Sequence, residues 1–266
     1  MALYSSNLLA QKSRQPCKLS TSLRCNIASS TAQHGRRGSI LRAAEVATVE
    51  TAEPFIPERK YLDGEPEHVW RNGKPDYTVV NQAYLSGKTK NWVAGSLEAV
   101  VESVVKTLEM EISHKTRPEY IKTFTPDFRY SQNGGSAIDT AELIQRGSYN
   151  VLINDASYTS QNFDFEGSHD AFKEAFPGGF AWECTEVLSG PPKVTFKWRH
   201  WGQFTGAYAG HEPTGETIEM YGMAIASVTE NLQVERLEIF YDPTPFLDSL
   251  AKGGPSKCPF MKGTSN

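Results

Sequence analysis

His200 is the side chain that pattern alone best places to move a proton. It ends the run Val194-Thr195-Phe196-Lys197-Trp198-Arg199-His200, in which apolar and polar residues alternate. In a strand that alternation puts His200 on one face with Val194, Phe196 and Trp198, so an imidazole that titrates near neutral pH sits among apolar neighbours. Two roles fit: a proton shuttle at a cavity mouth, or a hydrogen-bonded core histidine. Lys197 and Arg199 on the opposite face match solvent. Glu219 and Tyr221 on the following alternating run would add an acid and a phenol to either face. Trp182, two residues before Cys184 in a third apolar run, would wall the same space, with Cys184 as a small core residue.

Glu238 is the second candidate, because a carboxylate can act as acid or base once burial lifts its pKa towards neutrality. Alternation, however, sets Val234, Arg236, Glu238 and Phe240 against Leu237, Ile239 and Tyr241. The second set is the more apolar and suits an interior, which leaves Glu238 and Arg236 as a solvated or interface pair. His114 falls just past a helix, where it is a further pocket candidate, and His169 near the start of a short one, where it reads as part of a cap. No two of His114, His169, His200 and His211 share a metal-ligand spacing, so no metal site is expected. Lys257-Cys258-Pro259-Phe260 has the Cys-Pro pattern of haem regulatory motifs, but four residues in a Gly/Ser/Lys-rich tail read as tail, and no cofactor is expected. The phosphate-binding G-x-x-x-x-G-K-[ST] loop, dinucleotide fingerprint, H-E-x-x-H and nucleophile elbow are all missing, which removes the commonest nucleotide, zinc-protease and hydrolase readings.

The elements that must carry these residues follow from periodicity. Pro75 opens a helix to about Ser86. Ser96 is an N-cap, and Leu97, Val100, Val101, Val104, Val105, Leu108 and Ile112 then recur at steps of three and four, giving one apolar stripe. Residues 127–132 read as a short strand before the turn Asn133-Gly134-Gly135. Asp139 caps a third helix through about Leu152, and Ser168 a short fourth ended by Pro177-Gly178-Gly179. From Phe180 the period becomes two, with strands at 180–189, 193–206, 216–229 and 233–242. Helices first and an antiparallel meander last predict an α+β fold, with a strongly curved, mostly antiparallel sheet wrapping the helices.

Composition sets the boundaries. Residues 1–44 hold seven basic residues, ten Ser or Thr and no acid, so only 20 of the 27 basic residues remain to face all 31 acidic ones, a net of −11. An Arg- and Ser-rich, acid-free segment reads as an organelle transit peptide, for a plastid in preference to a mitochondrion, with Ile40–Ala44 as the processing region. Residues 45–60 read as a linker, 61–250 as the folded domain and 251–266 as a flexible tail. The acidic body argues against nucleic acid as a partner, since phosphate binding depends on Lys and Arg. No apolar run reaches eighteen residues, so no membrane span is expected.

Six ordered segments add a resemblance. Val69–Gly73, Glu109–Thr116, Gly147–Asn150, Ser168–Phe172, Gly179–Glu183 and the glycine-rich Arg199–Gly206 with Pro213-Thr214-Gly215 are similar to the plant pathogen-related proteins of the SnoaL-like/NTF2-like superfamily. The resemblance covers about residues 60–250. It implies an NTF2-like cone of sheet around an apolar cavity, often in a homodimer. It also implies an acid on the last strand, as in SnoaL-like cyclases. Counting from Pro213-Thr214-Gly215 puts that position at Glu238, whereas counting back from Asp242 puts it at Ile239. Two functions remain: a binder of an apolar small molecule in the cavity (Phe196, Trp198, Trp182, Glu219, Tyr221 and His114 being its candidate walls), and a cofactor-free isomerase, cyclase or hydratase using Glu238 or His200.

Overall fold

The computed structural model describes residues 55–153 and 164–254. Residues 1–44, most of the linker, and the tail with Cys258 lie outside the described residues. The described chain contains six α-helices and one five-stranded sheet: α1 (Thr78–Gly87), α2 (Leu97–His114), β1 (Phe124–Gln132), α3 (Thr140–Arg146), α4 (Ser148–Leu152), α5 (Phe165–Ala175), β2 (Phe180–Ser189), β3 (Lys193–Gln203), β4 (Thr217–Val228), β5 (Val234–Phe240) and α6 (Thr244–Ala251). The strand order is β1-β5-β4-β3-β2. β2 to β5 form the expected antiparallel meander, and β1 joins β5 in parallel. The fold is α+β, with helices packed against one mostly antiparallel sheet. Register shifts in β1, β2 and at the β4–β5 turn bend the strands, and one face closes on α2 to form the main core.

Ser96 caps α2 as expected, its hydroxyl accepting from the Ala99 amide at 3.2 Å. Two other helices differ from the periodic reading. The third breaks at Gly147, whose φ of +86° ends α3 and starts α4. The fourth is capped by Asp164, which accepts from Gly167, so Ser168 and His169 lie inside α5 and His169 is not a capping residue. The added helix α6 buries Phe246 and Leu250.

The larger surprise is the far side of α2. Glu102, Lys106 and Glu111 are buried, although all three are charged and lie off the apolar stripe. Tyr84 of α1 covers Glu102 and Lys106, and residues 55–61 run along the same helix, their Glu58 and Lys60 amides donating to Ser103 and Thr107. Buried charges require internal partners. Glu102 accepts from the Tyr84 hydroxyl at 2.6 Å and from the Cys184 amide at 2.9 Å. Glu111 accepts from Lys115 Nζ at 2.8 Å and from the Lys122 and Thr123 amides at 3.0 and 2.9 Å.

α1 and residues 88–92 also cover the outer face of the β2–β3 edge. Arg199, expected in solvent, is buried there: it donates to Glu183 at 2.9 Å and to the Gly87 carbonyl at 3.0 Å, pairs with Glu219, and lies over the Trp201 ring. Glu183 also accepts from Thr89, and Trp92 donates to the Cys184 carbonyl, so the edge strand β2 is tied down at its middle.

Candidate functional site

Period two on four strands and the stripe on α2 meet at a cavity of about 120 Å³. Its sheet wall is Trp182 of β2, Phe196, Trp198 and His200 of β3, Ala224 of β4, and Leu237 and Ile239 of β5. Val105, Leu108, Glu109 and Ile112 of α2 face it, and Leu143, Ser148, Tyr149, Val151 and Leu152 of α3 and α4 close one side. Tyr130 of β1 completes the ring. Gly222 makes room for the wall: a Cβ there would stand 2.3 Å from the Trp198 ring and 2.8 Å from the Phe240 carbonyl, so only glycine lets the indole lie flat on β4.

The polar groups are few. His200 Nε2 lies 4.0 Å from Glu109 Oε1. The imidazole is stacked on Phe180 at 3.8 Å and is 5% exposed. Burial, helped by the charge of Lys106, pushes its pKa down to about 3 against the pull of the Ala181 carbonyl. It is therefore neutral at physiological pH: it can accept or donate a hydrogen bond but cannot supply a ready proton. Tyr149 is held protonated by burial and by the charge of Glu109. Lys106 lies behind this group, buried, with Nζ over the Tyr84 and Trp182 rings at 5.1 and 5.8 Å. Its pKa falls to about 8, chiefly through desolvation, which Glu109 opposes.

The sequence-derived candidates divide cleanly. His200, Trp198, Phe196 and Trp182 line the cavity. Glu238 does not: it pairs with Ser131 and Ile225 on the outer face, because period two gives the interior to its neighbours Leu237 and Ile239. Glu219 and Tyr221 face outward for the same reason. They oppose Trp201 and Arg199, and Tyr221 is 59% exposed with its hydroxyl donating to Glu219 at 2.7 Å. His114 packs against Tyr77 at 5.9 Å, outside the cavity lining. Burial, with the charges of His169 and Lys173, holds its pKa near 4. Glu109 and Ser148 were missed. The signal for Glu109 was its place in the apolar stripe, four residues after Val105 and three before Ile112, where a charge faces the core. Among the described residues no group of three His, Cys, Asp or Glu is placed to hold a metal ion, and no helix is long and apolar enough to cross a membrane.

The chain is 37% identical over 216 residues to the pathogen-related protein of Hordeum vulgare, covering 76% of this chain and 92% of that one. It belongs to the pathogen-related protein family. No family model matches it. Solved structures give looser likenesses. A Jannaschia sp. CCS1 protein assigned as a SnoaL-like polyketide cyclase aligns at 17% identity and a TM-score of 0.34, over 60% of this chain and 97% of that one. A Catenulispora acidiphila protein with a ketosteroid isomerase-like fold, in complex with trimethylamine, aligns at 12% identity and a TM-score of 0.33, over 56% and 92%.

Proposed function

We propose that this pathogen-related protein is a plastid-targeted binder of an apolar small molecule, held in the cavity between α2 and the sheet. The cavity carries the proposal: aromatic and aliphatic walls, with polar groups confined to Glu109, His200, Ser148 and the tyrosines. Such a lining is the usual form of a small-molecule site. A dry cavity of about 150 Å³ accepts a benzene-sized guest, so 120 Å³ suits one ring or one isoprenoid-sized end of a lipid or pigment derivative, with a hydroxyl or carbonyl turned to Glu109 and His200. The plastid address rests on the basic, Ser-rich residues 1–44. Mass spectrometry on protein isolated from its tissue tests both parts. A mature N-terminus near Ala44 and a retained apolar adduct support the proposal; a full-length chain that takes up nothing from a lipid extract contradicts it.

A second reading, a cofactor-free isomerase or cyclase, is favoured by one contact, the 4.0 Å approach of Glu109 to His200. Here Glu109 would take the place first given to Glu238, removing a proton beside a carbonyl whose oxygen meets neutral His200. Deuterium uptake from D₂O into a cyclic monoketone probe, faster than in buffer alone and lost in Glu109→Gln, is the expected signature. Uptake that is equal in wild type and variant removes this reading.

A further inference from the structure

Ser148 and His169 form a second polar arrangement on the cavity wall, separate from Glu109 and His200. Ser148 lines the cavity and is half-buried, whereas His169 is buried behind it. His169 Nδ1 lies 2.8 Å from the Phe165 carbonyl oxygen. A carbonyl only accepts, so Nδ1 carries the proton, and Nε2 of the neutral ring is left as an acceptor. That Nε2 lies 3.5 Å from Ser148 Oγ. The ring cannot readily turn, because Phe165 stacks on it at 4.2 Å and Tyr149 meets it edge-on at 5.0 Å.

The backbone places the serine deliberately. Gly147 has φ +86°, and a Cβ there would fall 2.9 Å from the Phe165 ring and 3.5 Å from His169 Cε1. Only glycine therefore brings the start of α4 this close to the imidazole. On the other side the Ser113 hydroxyl of α2 lies 3.1 Å from Ser148 Oγ. With Ser148 donating to His169, Ser113 donates to Ser148. A nucleophile, a base and a group that fixes the base's tautomer are thus in line, the arrangement that activates a serine. A serine–histidine separation somewhat beyond an ideal hydrogen bond is usual before substrate binds.

We infer that Ser148 is a nucleophile activated by His169, and that the cavity hydrolyses carboxylic esters of small apolar acyl groups. The inference rests on the cavity being a small-molecule site. Ser148 Oγ attacks the ester carbonyl carbon as its proton passes to His169 Nε2. The Ser113 hydroxyl, within reach of the same atom, donates to the developing oxyanion. The tetrahedral adduct collapses with cleavage of the ester C–O bond, and the leaving alkoxide takes the proton from His169. Water, deprotonated by His169, then attacks the acyl-serine, releasing the carboxylic acid and returning the proton to Ser148. The net reaction is ester plus water to acid plus alcohol.

The test uses the full chain and an alkyl fluorophosphonate, which phosphonylates activated serines. Peptide mass spectrometry is expected to place the label on Ser148, with none in Ser148→Ala. His169→Gln is expected to slow labelling at least about 100-fold, as loss of a general base does. In wild type, labelling is expected to fall at acid pH as Nε2 takes a proton, a readout that does not depend on how His169→Gln folds. Absence of label on Ser148, or a labelling rate that ignores both His169 and acid, overturns the inference. Saturable binding of an apolar fluorophore to wild type separates the two proposals. Binding without label sinks the ester chemistry alone, and neither binding nor label sinks the cavity reading as well.

Discussion

At the scale of single residues, the cavity keeps its histidine neutral. His200 has a folded pKa near 3 against about 6.5 in an unfolded chain, and His114 is held near 4. Below pH 6.5 the unfolded chain binds protons that the folded chain refuses, so this contribution to stability is complete above pH 6.5 and is lost as pH falls towards 3. The melting temperature is therefore expected to drop between pH 7 and pH 5.5, before most carboxylates titrate. His200→Phe, which retains a ring to stack on Phe180, should flatten that slope in thermal melts. An unchanged slope would mean that His200 is solvated and charged. His200 was readable from alternation because strand faces follow a period of two. Glu238 was excluded from the interior by the same rule, although one of the two counts along the resemblance landed on it, the other landing on Ile239. Glu109 was harder to see, since a charge inside an apolar stripe looks like a boundary error until the partner across the cavity is known.

At the scale of elements, α2 and β3 are each buried on two sides, and that governs their behaviour under substitution. Arg199 joins Glu183, Glu219 and the α1 carbonyl at Gly87. Arg199→Ala would leave Glu183 buried with its cation gone, at a cost of about 3 kcal/mol, measurable as a shift in urea midpoint. Arg199→Lys should recover little of this, because one ammonium cannot span Glu183 and Glu219 as the guanidinium does. A shift below about 0.5 kcal/mol would place Arg199 among ordinary surface pairs. Gly222→Ala acts on the other face: its Cβ drives the Trp198 ring off β4 towards the cavity. Both stability and affinity for an apolar probe should fall, and tryptophan fluorescence should report the displaced indole. The alternating strands and the Ser96 cap were legible because each is a local signal. The covering of α2 and β2 by α1 and residues 55–61 was not, because it joins segments far apart in the chain through charges that read as solvent-facing until their partners are found.

At the scale of the whole molecule, α2 to α4 and the strands of the sheet hold open the cavity that His200 lines. Ordered walls around a cavity forgo contacts that a filled core would make. A ligand that enters should therefore stabilise the fold in proportion to its occupancy, by about 2.7 kcal/mol at a hundredfold excess over its dissociation constant. The curved sheet was predictable as a class from helices followed by an antiparallel meander. The parallel pairing of β1 with β5 was not, since nothing local in residues 124–132 names a partner more than a hundred residues away.

On the proposed function, the space between α2 and the inner face of the sheet takes a small apolar molecule. Titration of an apolar fluorophore into wild type and into Ile239→Trp, a substitution that fills the cavity from β5, tests it most directly. Wild type is expected to bind saturably, one to one, and the variant at least tenfold more weakly, with matching far-UV circular dichroism. Equal affinities in the two proteins, or no saturable binding to either, would contradict it.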